Sequence, residues 1–281
     1  MSGVRRLAAS LGVGAVAAAT LACGCGGASA SVGRPVAGRV DPPRLLFDYA
    51  AERVSTLRAP SEAPDELAAS IRHARGTARL ELQTKLAVAN LWAAESEPDE
   101  RAARRQRRTA ERAAAEVARR SRDPWVVTAM DLVSVMAEWR DGAAGAPRSA
   151  ERFTTRHFDG GELLIVGWLV RGEIALAAER YEDAATAFRF LLGQLDHPLY
   201  VFALWRTARC YQGLGRTADA RQALHDADDM GHRRGTSPQA QRVAATARAE
   251  LGLPPRVAGE VENEPAAATT AGDEERPPTA P

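Results

Sequence analysis

Between residues 44 and 253 the apolar positions recur with a helical period, and no stretch shows the two-residue alternation of a strand. Arg44 to Leu57 predicts a first helix, ended by Ala59-Pro60-Ser61, and a second runs from about Pro64 to Ala74. Gly76-Thr77 opens a third, which carries Leu80, Leu82, Leu86, Val88, Leu91 and Trp92. Glu97-Pro98-Asp99 starts an arginine-rich helix. Asp123-Pro124 starts one with Trp125, Met130, Leu132, Val135, Met136 and Trp139, ended by Asp141-Gly142. Pro147 to Phe158 is shorter and closes at Asp159-Gly160-Gly161. Amphipathic runs broken this often predict antiparallel helix pairs.

Composition narrows the picture. Hydrophobic residues make up 45% of the 281 and aromatics only 5%, so the core must be built from Ala, Leu and Val. Alanine favours helix and lets helices approach closely, which makes the chain all-α. A net charge of +1 gives the chain as a whole no pull toward nucleic acid or membrane. Lys85 is the only lysine and has no glycine-rich loop before it, which removes phosphate-loop and Schiff-base chemistry. Cys210 is the only cysteine in the folded region, so no internal disulfide is available there.

The ends read differently. Arg5 and Arg6 precede an apolar run of small residues, Leu7 to Ala22, too short for the roughly 20 residues that span a bilayer. This is the pattern of an export signal over 1–22. Thr20-Leu21-Ala22-Cys23-Gly24 then resembles the lipobox of bacterial lipoproteins, which implies lipidation of Cys23 and anchoring to the membrane. Thr20 stands where that family has a large aliphatic residue. The alternative is ordinary cleavage after Ala28-Ser29-Ala30, giving a soluble secreted or periplasmic protein. Residues 23–43 read as a flexible tether. The tail, 254–281, sets six acids against Arg256 and Arg276 among prolines and small residues, and reads as disordered.

The densest pattern lies from Val166 to Gly231. Trp168-x-x-Arg171-Gly172-x-x-Ala175 leads to Tyr181, then Ala184-x-x-x-Phe188, then Pro198. A second unit reads Leu204-x-x-Thr207-Ala208-x-x-Tyr211, Gly215, Ala220-x-x-x-Leu224, with Ala184 and Ala220 36 residues apart. Both units resemble the tetratricopeptide repeat. The resemblance implies a right-handed α-solenoid of antiparallel pairs over 161–253, with Gly172 against Ala184, Ala208 against Ala220, and a capping helix Pro238 to Leu251. Residues 44–160 would be degenerate repeats. It also implies a partner-binding groove lined by Leu169, Glu173, Phe202, Trp205, Arg209 and Gln212. Arg171 and Thr207 depart from the family's leucine, and Ala175 from its tyrosine.

Other clusters have plainer explanations. The nine arginines from Arg101 to Arg122 are read as a solvated face, or else as a surface for anionic lipid or glycan. No aromatics interleave them for base stacking, so nucleic acid is not expected. His225, Asp226, Asp228, Asp229 and His232 share helix faces at four-residue spacing. Gly231 is expected to end that helix in a left-handed cap, with Arg233 or Arg234 answering the acids rather than a metal. No G-x-S-x-G, H-E-x-x-H or paired-cysteine motif occurs, and no cofactor is implied. The expectation is a non-enzymatic scaffold at the cell envelope, on an outer membrane facing the periplasm, that binds protein partners. A narrower version is an assembly factor for outer-membrane proteins or secretins.

Overall fold

The computed structural model describes residues 40–233 and 235–255. The export signal, Cys23 and most of the tether and acidic tail therefore lie outside the described residues. The helices are α1 (Pro42–Arg53), α2 (Pro64–Ile71), α3 (Gly76–Ser96), α4 (Glu100–Arg120), α5 (Pro124–Arg140) and α6 (Ala146–Arg156). They continue as α7 (Gly161–Ala177), α8 (Tyr181–Leu192), α9 (Tyr200–Gly213), α10 (Thr217–Gly231) and α11 (Pro238–Glu250). A single 3-10 turn, Ser55–Leu57, follows α1, and no strand occurs among the described residues.

The starts follow local chemistry. Proline opens α1, α2, α5 and α11, where its missing N–H would have had no partner. Asp99, Asp123 and Ser237 cap α4, α5 and α11, accepting from the N–H groups of Arg101, Trp125 and Ala240. Both ends of the first helix differ from expectation. The first helix begins at Pro42, inside the stretch read as tether, with Asp41 at its N-cap. It stops at Arg53 because Val54 turns extended, and the 3-10 turn carries Leu57 inward instead.

Each helix from α2 onward packs on the next, and the alternate helices α3 with α5, α5 with α7, and α9 with α11 also touch. Alanines make the close faces: Ala103, Ala110 and Ala114 on α4, Ala184, Ala185 and Ala187 on α8, Ala240, Ala244 and Ala247 on α11. At Gly231 the approach is close, since a Cβ there would meet the Ala244 methyl at 2.2 Å. Gly231 is thus the last residue of α10 and not a left-handed cap, and the positive φ falls later, at Gly235.

The first helix does not start the row. It packs against α7, with lesser contact to α5, and its Phe47 ring lies 4.8 Å from that of Trp92 on α3. Leu45, Leu46, Phe47, Tyr49, Ala50 and Ala51 are all buried. Apolar residues so closely spaced point to more than one side of a helix, so α1 is enclosed and not merely laid on a surface.

Candidate functional site

The two units share the same local geometry, in register, at the turn between their helices. Arg180 N–H donates to the Ala175 carbonyl at 2.9 Å, and Arg216 N–H to that of Tyr211 at 2.9 Å. Glu179 and Gly215 both take positive φ, 58° and 73°. Arg180 bonds Asp183 at 3.1 Å, and Arg216 bonds Asp219 at 2.6 Å. Every one of these pairs is separated by 36 residues, the spacing of Ala184 and Ala220.

The packing residues take definite places. Gly172 meets the ring of Phe188, not Ala184: a Cβ there would lie 2.6 Å from the ring edge. The glycine is needed to admit an aromatic one turn beyond the expected alanine. Ala184, Phe188, Ala208, Ala220 and Leu224 are buried. Trp168 is half-buried, stacked on Phe190 at 5.1 Å, with the Arg171 guanidinium 4.8 Å over its ring. Tyr211 is half-buried under Arg216. The sequence reading missed Gly213, which leaves room for the ring of Tyr181 from the preceding unit.

The expected groove is largely filled. Leu169 is 0% exposed and Trp205 5%, and Phe202 and Glu173 are equally enclosed. The reason is that helices lie on both: α1 packs on α7, and α11 packs on α9. Trp205 sets its ring edge-on to Phe202, 6.0 Å between centroids, and its indole N–H donates to Glu250 of α11 at 3.0 Å. Glu173 receives both guanidinium arms of Arg206. Burial pushes its carboxyl up, against the pull of that arginine's charge. Of the six residues only Arg209 and Gln212 stay exposed, 3.2 Å apart, with Glu250 3.7 Å from Arg209.

A polar knot that the sequence did not single out pins α1 in place. The Tyr49 hydroxyl donates to Glu162 of α7 at 2.7 Å and lies 3.1 Å from Nε2 of His197. Nδ1 of His197 accepts the Leu199 N–H, so the ring's proton sits on Nε2 and points at Tyr49 and Glu162. Burial, then the Glu162 hydrogen bond and charge, raises the Tyr49 hydroxyl above its usual range. For Glu162 burial raises the carboxyl, but the bonds from Tyr49 and His197 outweigh it and the net direction is down.

No protein-family model matches the chain, and no curated protein or solved structure matches it either. The geometry has to speak alone.

Two further clusters were expected to have plain explanations. The carboxylate of Asp228 meets Arg248 of α11 at 2.7 Å and His232 at 3.2 Å, while Arg234 lies outside the described residues. On α4 the inward alanines are as expected, but Arg107 joins them: it is buried and paired with Asp141 and Glu100. The outward side is a stripe of Arg101, Arg104, Arg105, Arg108 and Arg112, all exposed. None of the five has a carboxylate within ion-pair distance among the described residues, although Glu111 feels the charges of Arg108 and Arg112. Like charges three and four apart each destabilise a helix by about 0.2–0.5 kcal/mol, so the stripe lowers the helix's own stability. Just past its end, Arg122, Trp125, Arg156 and Phe158 edge a recess of about 420 Å³, with Trp125 42% and Phe158 73% exposed.

Proposed function

We propose that this chain is a helical-repeat scaffold of tetratricopeptide type, held at the cell envelope through a lipid on Cys23, which engages protein partners and has no catalytic chemistry of its own. The observation that carries the reading is the 36-residue correspondence between α7–α8 and α9–α10. Paired helices in strict register offer equivalent surfaces at fixed intervals, while the residues at equivalent surface positions are free to differ. Glu173 and Arg209 hold equivalent positions with different fates, one buried in an ion pair and the other exposed. With α1 and α11 filling the rest, the partner-facing part of the groove is Arg209 and Gln212 beside Glu250. An exposed arginine next to an acceptor amide suits an acidic or polar segment of a partner chain. The anchor rests on the sequence Thr20 to Gly24, and no helix among the described residues is long and apolar enough to cross a membrane.

The test is a photo-crosslinking residue at position 212 in the full-length chain, with position 241 on α11 as comparison. A discrete adduct from 212, absent from 241 and lost with Arg209→Glu while the melting temperature holds, is the expected result. Equal labelling from both positions, or no adduct from 212, overturns the reading. For the anchor, Cys23→Ala should release the chain from the membrane fraction. A soluble wild-type chain beginning at Ser31 overturns that part alone.

A further inference from the structure

The arginine face of α4 has no work inside the molecule. Its packing side is complete without it, since Ala103, Ala110, Ala114 and Val117 are buried and the one arginine among them, Arg107, has its own carboxylates. A face that only needed solvation would carry both signs of charge. Here Glu100 is the single exposed acid of α4, and it belongs to Arg107. At about 1.5 Å of rise per residue, Arg101 to Arg112 make a rod of positive charge roughly 16 Å long. Arg119 and Arg120, which share Glu116, and then Arg122 continue the basic composition past it.

Beyond the C-terminal end of α4 stand two exposed aromatic rings. Trp125 lies in the first turn of α5 and Phe158 in the turn after α6, and both edge one recess with Arg122, with Arg156, which pairs with Asp131 at 3.2 Å, and with the exposed Asp159. Neither ring is claimed by the interior, and an exposed Trp–Phe pair among arginines is the composition found where proteins meet lipid headgroups: rings at the acyl boundary, guanidinium groups on phosphates. We propose that the α4 face and the Trp125–Phe158 edge form a docking surface for an anionic phospholipid membrane. Charge complementarity selects the anion. The aromatic pair favours a bilayer over a nucleic-acid duplex, because exposed rings can enter an acyl boundary whereas the bases of a duplex are already stacked on one another.

The surface would lay α4 along the bilayer and so set the orientation of the whole array, whatever holds its N-terminus. The inference does not rest on the scaffold reading, because it needs neither a protein partner nor a lipid on Cys23.

The experiment is cosedimentation of the full-length Cys23→Ser chain with vesicles of phosphatidylcholine alone or containing phosphatidylglycerol. Comparing the two removes any contribution of the N-terminal apolar run that does not depend on lipid charge. Preferential binding to the anionic vesicles that falls steeply with salt is expected. Each arginine near such a surface is worth about fivefold in binding, so Arg104→Gln, Arg105→Gln and Arg108→Gln together should remove about a hundredfold. These residues are exposed, so the triple variant should melt at or above the wild-type temperature. Trp125→Ser with Phe158→Ser should weaken vesicle binding further while leaving affinity for duplex DNA unchanged. No preference for anionic vesicles, or a preference that survives the triple substitution, overturns the proposal. So does duplex DNA binding as tight as that to vesicles with no effect of the two ring substitutions, which would assign the face to nucleic acid.

Discussion

Glu179 shows what one residue can reveal about a repeat. It holds a left-handed backbone where the next unit has Gly215, and a side chain in that region costs about 1–2 kcal/mol. Glycine costs roughly 0.5–1 kcal/mol in the unfolded chain's extra freedom, which offsets part of the relief. Glu179→Gly should therefore stabilise by about 0.5 kcal/mol, and Gly215→Ala should destabilise by about 1 kcal/mol. A Cβ at Gly215 meets nothing within 4 Å, so the second effect is backbone strain alone. Paired thermal melts check this; equal shifts of the same sign would mean the two turns are not equivalent. Gly215 was legible in the sequence as a turn residue at repeat spacing. Its counterpart was not, because a glutamate in that place carries no local sign of positive φ.

Between elements, ion pairs do what scarce aromatics cannot. Alanine faces fit together in several registers, since a methyl group is a poor key. Arginine–carboxylate pairs choose among them: Arg140 with Glu95 joins α5 to α3, Arg206 with Glu173 joins α9 to α7, and Arg248 with Asp228 joins α11 to α10. Removing one partner leaves a buried charge alone, which typically costs about 3–5 kcal/mol. Arg206→Ala should cost that much near neutral pH. Without its partner, the Glu173 carboxyl, already raised by burial, titrates higher still in the folded state than in the unfolded one. The folded form then takes up a proton the unfolded form does not, so the variant gains stability as pH falls toward the ordinary carboxylate range. Urea melts at neutral and mildly acidic pH measure the gain; a variant that loses stability throughout on acidification would contradict it. The helices themselves were legible, because proline and aspartate mark their starts. The pairings were not, because a sequence with so many arginines does not say which one reaches a given acid, as the pair of Arg248 with Asp228 shows. The groove failed for a related reason: local pattern places Leu169 and Trp205 on a face, but not α1 or α11 on top of that face.

At the scale of the molecule, Tyr49 joins three distant parts of the chain. Its hydroxyl must stay protonated to donate to Glu162, and burial raises it above the usual value of 10. The folded state so binds a proton that the unfolded state gives up above about pH 10, and stability present below that pH is lost as pH rises through the raised value. Cys210, pushed up to about 12 by burial, adds to the same loss. In a Cys210→Ala background, Tyr49→Phe should be less stable near neutral pH yet flatter in its alkaline decline, read by circular dichroism. An unchanged alkaline slope would remove Tyr49 from the account.

The position of α1 also has a consequence in time. Contacts within the rest of the row are mostly local in sequence, the kind of topology that folds fast. Tyr49, by contrast, waits 113 residues for Glu162 and 148 for His197. The helix made first is therefore seated late. Until α7 and the segment before α9 exist, α1 has only Trp92 of α3 and part of α5 to lie against, and a chain still emerging presents the rest of its apolar surface to whatever is nearby. A row of consecutive helices that could have assembled piece by piece is made to close once, and its early apolar helix needs shelter in the interval.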